Sequence, residues 1–228
     1  ISSPEWDDYW RQRDKPITGS FYNMIAEAYR TLVIKRNLEA IIFKTFAPGM
    51  SLLHAGCGNG QADVDITRRM RITALDISRP GLDHYARVNE GRAVLLHASA
   101  FSIPLPDASV HGVYNLGVME HFIEPDIVKL LEEFRRILKP GGKIVLFWPP
   151  TFGLSVFVLD TAHCILRLLG SARKLHPDEM TRLRNRAHAE RLLRLGGFQM
   201  LEYSFGPCDL FVQVVLVARA APPGNLGL

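Results

Sequence analysis

The stretch Leu52-Leu53-His54-Ala55-Gly56-Cys57-Gly58-Asn59-Gly60 restricts the folds open to this chain more than any other. An apolar run enters three alternating glycines, and a second apolar run ends on Asp76. Alternating glycines let the main chain turn tightly and let a ligand approach it closely. A helix starting at the end of such a loop turns free N–H groups toward that ligand. The order fits the first crossover of a parallel sheet, with a crevice at the carboxyl ends of its strands. Asp76 is placed to accept hydrogen bonds from a ribose diol. Its other reading is a strand-end carboxylate that caps the following turn.

Strand and helix patterns alternate after this point. Apolar runs predict strands over Met50–Ala55, Arg71–Asp76, Ala93–His97, Val110–Asn115 and Lys143–Trp148. Helices are predicted from near Gly60, over Pro80–Asn89, and over Ile127–Leu138, where Lys139-Pro140-Gly141-Gly142 ends the last of them. Such alternation implies right-handed crossovers and a parallel sheet with helices on both faces. The ending differs. Phe198–Phe205 and Leu210–Arg219 are strand-like runs joined through Gly206-Pro207 with no helix between, so the last strand should run antiparallel. The fold class expected is therefore α/β, a Rossmann-like three-layer sandwich with a mostly parallel seven-stranded sheet and an antiparallel last strand.

Four regions follow from this pattern. Residues 1–49 form an N-terminal arm and amphipathic helices, with Phe21, Ile25, Tyr29 and Leu32 at helical spacing. Residues 50–150 form the ligand-binding core. Residues 151–195 exceed an ordinary connection and form a helical cap insertion, including a helix over roughly Asp178–Leu195. Residues 196–228 form a C-terminal hairpin that completes the sheet.

Composition narrows the functions. The formal charge is +4, with no long run of like charges, which argues against nucleic acid as a partner. The three cysteines, Cys57, Cys164 and Cys208, give no Cys-x-x-Cys spacing. That points to a reduced, cytoplasmic protein without structural zinc or disulfides. The longest apolar window, Phe152 to Leu169, contains Asp160, His163 and Arg167, which argues against a transmembrane span. The dinucleotide fingerprint needs its third glycine at position 61, where Gln61 stands, so a nicotinamide-dependent oxidoreductase is the less favoured alternative.

Five motifs in order resemble the class I S-adenosylmethionine-dependent methyltransferases, in particular the small-molecule branch related to ubiquinone-biosynthesis enzymes. They are Leu52–Gly60, Ala74-Leu75-Asp76-Ile77-Ser78, Ala98–Phe101 with Ile103-Pro104-Leu105-Pro106-Asp107-Ala108-Ser109, Leu116–Phe122, and Leu138–Lys143. The resemblance implies S-adenosyl-L-methionine as cofactor. It implies that the main chain at Gly56, Cys57, Gly58 and Gly60 cradles its amino-acid part and that Asp76 holds the ribose. Ile77 would pack on adenine, and Ser99, Ala100 and Phe101 would border its edge. Asn115 and Leu116 would lie beneath the methionine portion. Three positions depart from the family pattern. His54, counted with the cofactor-binding residues, replaces a usual acid that orients the loop and the ligand ammonium, Ser99 replaces a frequent Asp, and His111 replaces another. These departures keep a non-catalytic binding domain as an alternative.

Glu120-His121 follows the fourth strand, near where the methyl group should sit. His121 is the candidate general base, with Glu120 orienting it or touching substrate. The alternative is a structural role in the following segment. No further ligands accompany this pair, so no metal is expected. Trp6, Tyr9 and Trp10 suit either a flap over the cofactor or a packed arm. Apolar positions at helical spacing in Phe152–Leu169 suggest a small, apolar or lipid-like acceptor. Arg182, Arg184, Arg186, Arg191 and Arg194 read more simply as a solvated basic face.

Overall fold

The computed structural model describes residues 3–13, 33–152, 180–207 and 211–221. Cys164, Cys208 and most of the expected cap lie outside these residues. Helix α1 spans Ser3–Arg13 and α2 spans Lys35–Thr45. The sheet strands are β1 Ser51–Ala55, β2 Arg71–Asp76, β3 Val94–His97, β4 Val110–Leu116, β5 Leu138–Trp148, β6 Phe198–Ser204 and β7 Val214–Ala220. Between them lie α3 Arg79–Val88, α4 Glu124–Ile137 and α5 Arg186–Leu195.

The seven strands lie in the order β3-β2-β1-β4-β5-β7-β6. β1 through β5 pair in parallel, and β7 runs antiparallel to both β5 and β6. β1 sits between β2 and β4, which explains its unbroken apolar run: Leu52 and Leu53 lie on opposite faces and both are fully buried. Leu52 joins Leu38, Ile41 and Ile42 of α2 and Leu82 and Tyr85 of α3. Leu53 joins Ile127, Leu130, Leu131 and Phe134 of α4 and Leu192 and Leu193 of α5. The result is the three-layer sandwich expected from the alternation.

Local chemistry sets the helix ends. The Ser78 hydroxyl accepts from Gly81 N–H at the start of α3, where Pro80 has no N–H to satisfy. Glu124 and Asp126 open α4, and Arg135 and Arg136 close it, each charge opposing the helix dipole. The Asn185 side chain caps α5 by accepting from His188 N–H at 2.8 Å.

Three segments differ from the sequence expectation. The helix expected after Gly60 is a single 3-10 turn, Gln61–Asp63, followed by hydrogen-bonded turns. Asp63, Val64, Asp65, Ile66 and Thr67 are poor helix formers, and Asp63 turns its side chain inward. The helix expected over Asp178–Leu195 begins only at Arg186. Residues 180–185 are extended instead: Leu183 pairs in parallel with Pro150, and Trp148 Nε1 donates to Thr181 O at 2.8 Å. Lys139–Gly142 does end α4, but as an excursion within β5, since Val110 faces Leu138 while Gly112 faces Lys143. Among the described residues no helix is long and apolar enough to cross a membrane.

Gly112 on β4 lies beneath the Phe46 ring, and a Cβ there would fall 2.3 Å from two ring carbons. Gly112→Ala is expected to destabilise the fold by about 1–3 kcal/mol through overpacking. Urea unfolding of the variant against the parent protein measures this.

Candidate functional site

The glycine loop leaves β1 and fastens at once to β2. The N–H groups of Gly56 and Cys57 donate to Leu75 O at 2.8 and 3.1 Å, and Gly58 N–H donates to Asp76 Oδ2 at 2.8 Å. Gly58 has φ +52°, and a Cβ on it would fall 2.4 Å from the Trp10 ring. Gly60 has φ +71°, and a Cβ there would fall 2.3 Å from Tyr85 and 2.5 Å from Asn89 Nδ2. Both positions therefore need glycine for backbone angle and for space. Asn89 pins the end of the loop by donating to Gly60 O at 3.0 Å.

Asp76 ends β2 and is 7% exposed. Its second oxygen, Oδ1, accepts from Ser78 N–H at 2.8 Å. Burial pushes its carboxyl above the usual range, opposed by the N–H bonds of Ser78 and Gly58 and by nearby His54. Asp76 thus does cap the next turn, and it also joins the glycine loop to the second strand. The Ile77 N–H also donates to this carboxylate, and its remaining lone-pair capacity is left for a ligand.

Beneath the loop lies a cluster the sequence reading did not identify. Asp63 is completely buried, and its Oδ2 meets His54 Nδ1 at 2.7 Å and the Tyr85 hydroxyl at 2.6 Å. His54 stacks on Tyr114 with centroids 4.3 Å apart. Burial and the Asp63 charge push both tyrosine hydroxyls far up, so both stay protonated, and Tyr85 donates to Asp63. An acid between Ala62 and Val64, spaced to share a face with Ile66, was the available signal. The same burial, with the charges of Asp76 and Asp63, pushes the Cys57 thiol up and keeps it protonated and unreactive.

The other expected positions divide into two groups. Asn115, near the end of β4, is fully buried, and neither its Oδ1 nor its Nδ2 has a hydrogen-bond partner among the described residues. Leu116 beside it is half-buried. These two stand at the carboxyl edge of the sheet with the glycine loop and Asp76. Ile77 is half-buried, and its carbonyl meets His97 Nε2 at 3.0 Å. Ser99 is exposed and accepts from Phe101 N–H; Ala100 is half-buried; Phe101 sets its edge against Phe122. His111 lies at the opposite end of β4, where Ser51 N–H donates to its Nδ1. Its departure from the family pattern therefore acts far from the crevice.

Glu120 and His121 form a buried 3-10 turn, Met119–His121. The Glu120 carbonyl accepts from Met180 and Thr181 N–H, tying the turn to the extended segment. His121 meets the Trp6 ring edge-on, with centroids 5.2 Å apart. Val118, just before this turn, lies where a Cβ on Gly56 would fall, 2.5 Å away. The turn and the glycine loop are therefore neighbours. Helix α1 spans both, with Trp6 at His121 and Trp10 against Gly58 and Gly81.

Among the arginines read as a solvated face, Arg184 and Arg191 reach a carboxylate. Glu124 accepts from Arg184, Arg191 and His188 Nε2 at 2.9, 2.6 and 2.9 Å. Arg191 chiefly holds the Glu124 carboxyl below its ordinary range. His188 Nδ1 accepts from Arg184 N–H, so the ring is neutral with its proton on Nε2. Burial pushes its pKa down.

The sheet order, the glycine loop and the acid at the end of β2 define a Rossmann-like nucleotide-cofactor domain. Residues 53–146 match the family model described as a methyltransferase domain. A probable S-adenosylmethionine-dependent methyltransferase of Mycolicibacterium smegmatis is 33% identical over 153 residues, covering 67% of this chain and 53% of that protein. The malonyl-[acyl-carrier protein] O-methyltransferase of Serratia marcescens is 35% identical over 101 residues, covering 44% and 38%. The 27-O-demethylrifamycin SV methyltransferase of Amycolatopsis mediterranei is 30% identical over 105 residues, covering 43% and 38%. Among solved structures, magnesium protoporphyrin IX methyltransferase from Synechocystis PCC 6803, with S-adenosylhomocysteine bound, superposes with a TM-score of 0.70 at 14% identity, covering 94% of each chain. The chain belongs to the class I S-adenosylmethionine-dependent methyltransferases. It spans about half the length of the first curated relatives it matches.

The His188 arrangement has a pH consequence. The unfolded chain binds a proton at this imidazole more readily than the folded one, so stability is full above about pH 6.5. It falls as the pH drops through the lowered folded value, because a proton on Nδ1 opposes the Arg184 N–H. Urea midpoints at pH 7.5 and 5.5 are expected to differ less in His188→Gln than in the parent protein.

Proposed function

We propose that this chain transfers the methyl group of S-adenosyl-L-methionine to a small-molecule acceptor, by O- or C-methylation. The observation that carries the site assignment is the Gly58 N–H to Asp76 bond, which draws the glycine loop and the strand-end acid into one crevice. The relative named a malonyl-[acyl-carrier protein] O-methyltransferase favours oxygen as the atom methylated.

Bound S-adenosyl-L-methionine supplies an activated methyl carbon on a sulfonium sulfur. The work left to the protein is alignment and exclusion of water. The main chain at Gly56, Cys57, Gly58 and Gly60 would cradle the amino-acid part, and the free lone pairs of Asp76 would take the ribose hydroxyls. Ile77 would pack against adenine, with Ser99, Ala100 and Phe101 along its edge. Asn115 supports the fit most directly: a fully buried amide with both polar atoms unpartnered is costly unless a ligand or water satisfies it. Leu116 would lie beside it under the methionine chain.

His121 would act as general base toward a hydroxyl acceptor, with Glu120 orienting the turn or meeting substrate. An acceptor that arrives already ionised would need no base. The acceptor is proposed to be apolar. Phe152 and Phe205 contact edge-on at 5.1 Å, Phe205 and Phe211 at 5.5 Å, and Phe152 and Phe211 are about half exposed. They follow β5, follow β6 and precede β7, so they gather at the carboxyl edge of β5 and β6. Trp6 and Trp10 would cover the cofactor from the side of α1.

Titration calorimetry is expected to show one site for S-adenosylmethionine and for S-adenosylhomocysteine, and none for NAD. Heat from NAD alone would overturn the proposal. Asp76→Ala should weaken S-adenosylhomocysteine binding by about 1–3 kcal/mol, and an unchanged dissociation constant would remove Asp76 from the site. His121→Ala should lower turnover roughly 100-fold or more on a hydroxyl acceptor while leaving cofactor affinity near normal. Full activity on that acceptor would exclude His121 as the base.

A further inference from the structure

His111 stands near the start of β4, five residues before Leu116 and so roughly 17 Å from the carboxyl edge. Its ring has a neighbour at each nitrogen. Ser51 N–H donates to Nδ1 at 3.2 Å, and Lys139 Nζ lies 3.1 Å from Nε2. A main-chain N–H can only donate, so Nδ1 is the accepting nitrogen and Nε2 carries the ring proton. The Lys139 ammonium also has only hydrogens to offer. Two donors therefore face each other across 3.1 Å, and neither satisfies the other.

The charge around this contact has one sign. Lys143 pairs in register with Gly112, next to His111, and reaches the Thr45 carbonyl at 3.5 Å. Arg219 faces Lys143 across β5 and β7 and donates to the Gln199 side-chain oxygen at 3.3 Å. Like charges directly opposite on neighbouring strands repel. Among the described residues, the contacts of Lys139, Lys143 and Arg219 are all to uncharged groups. Asp107, just before β4, is already held by Arg136 at 2.6 Å. His111, Lys139 and Lys143 are half-buried, and the Lys139 main chain is tightly folded: a Cβ on Gly142 would fall 2.8 Å from Lys139 O.

We propose that His111, Lys139, Lys143 and Arg219 form a phosphate-binding site at the amino edge of the sheet, away from the cofactor crevice. A phosphate oxygen set across the gap accepts from Nε2–H and from the Lys139 ammonium together, which turns two facing donors into two charge-assisted bonds. Lys143 and Arg219 add the charge that suits a dianion with several acceptor oxygens. A carboxylate, with two oxygens and one charge, meets fewer of these donors. His111 is the residue that makes the site. An acid at this position, as the family resemblance leads one to expect, would pair with Lys139 and take the place of the anion. The ligand is a phosphate group, carried on a soluble ester or on a lipid headgroup. The site does not depend on the methyltransferase reading.

Thermal unfolding at pH 7.5 in sodium phosphate, acetate or chloride of matched ionic strength tests the site. Saturating phosphate is expected to raise the midpoint of the parent protein by about 2–4 °C over chloride, and acetate by clearly less. Lys139→Gln removes the ammonium and His111→Asp sets a carboxylate beside it, so both should lose most of that rise. His111→Asp should also melt above the parent protein in chloride, because the new acid pairs with Lys139. The general salting-out action of phosphate is common to parent and variants, so the difference between them carries the result. A phosphate rise of equal size in the parent and in both variants would overturn the proposal, as would equal stabilisation of the parent by phosphate and acetate. Arg219→Gln changes an exposed side chain and should cut the rise by about half; it decides should the other two fail to fold. Sedimentation with phosphatidic acid vesicles, lost in Lys139→Gln, would mark a headgroup as the source, and a phosphate response without sedimentation a soluble ester. S-adenosylhomocysteine affinity is expected to be the same in all these proteins, so failure of this site leaves the methyltransferase reading standing.

Discussion

Three consecutive N–H groups, at Gly56, Cys57 and Gly58, bind the end of the neighbouring strand, and the crevice depends on them. Two reach the Leu75 carbonyl and the third reaches the Asp76 carboxylate. The loop is thereby held open against the edge of the sheet rather than collapsed into it. Its conformation needs positive φ, so the sequence must supply glycines there. It also needs a buried acid at the end of β2, which is costly to desolvate unless it is well bonded. The two requirements meet each other: the acid satisfies the loop, and the loop satisfies the acid. A ligand entering here meets groups already fixed in place, which lowers the ordering cost of binding.

Several residues that carry the family resemblance serve the scaffold rather than the site. The Ile103–Ser109 stretch is clamped to α4 by Arg136. Its guanidinium donates to the carbonyls of Ile103 and Leu105 and to the carboxylates of Asp107 and Glu133. Glu133 also accepts from Ile103 N–H at 2.6 Å. A proline-rich connection with few N–H groups of its own is thus held through its carbonyls, by a cation well suited to several acceptors at once. The Lys139–Gly142 excursion likewise lets β5 begin directly after α4 without a long loop. Both features shorten connections on the side of the sheet away from the crevice.

The sheet was legible because its strands are buried on both faces and read as continuous apolar runs. Arg71–Asp76 could be bounded to the residue, since a charged residue closes it at each end. The hairpin was legible from the missing crossover helix. What escaped was decided by tertiary contact. Residues 180–185 carry a polar pattern suited to a helix, but the Glu120 carbonyl, Trp148 and Pro150 hold them extended. The Arg184 and Arg191 side chains look like solvent-facing cations until Glu124, distant in sequence, gathers both. At the candidate site the glycines and Asp76 were readable from spacing alone. Asp63 was not, because its partners come from a strand before it and a helix after it. His54 reads in isolation as a lost acid, whereas the fold places a carboxylate against it.

The position of α1 bears on how the two halves of the site communicate. Trp10 rests on Gly58 and Gly81, at the mouth formed by the loop and α3. Trp6, one turn earlier, meets His121 beside the end of β4. Tyr9 contacts both indoles edge-on, with centroids 5.5 and 5.1 Å away, so the three rings form one continuous layer. Such a layer resists rearrangement one ring at a time, because each edge-to-face contact fixes the orientation of the next. A cofactor that displaced Trp10 from Gly58 would therefore also disturb Trp6 at His121. The aromatic faces are suited to a cation as well as to one another, so a sulfonium would meet a favourable surface on entry. The helix thus joins the cofactor crevice to the proposed base through this packed layer.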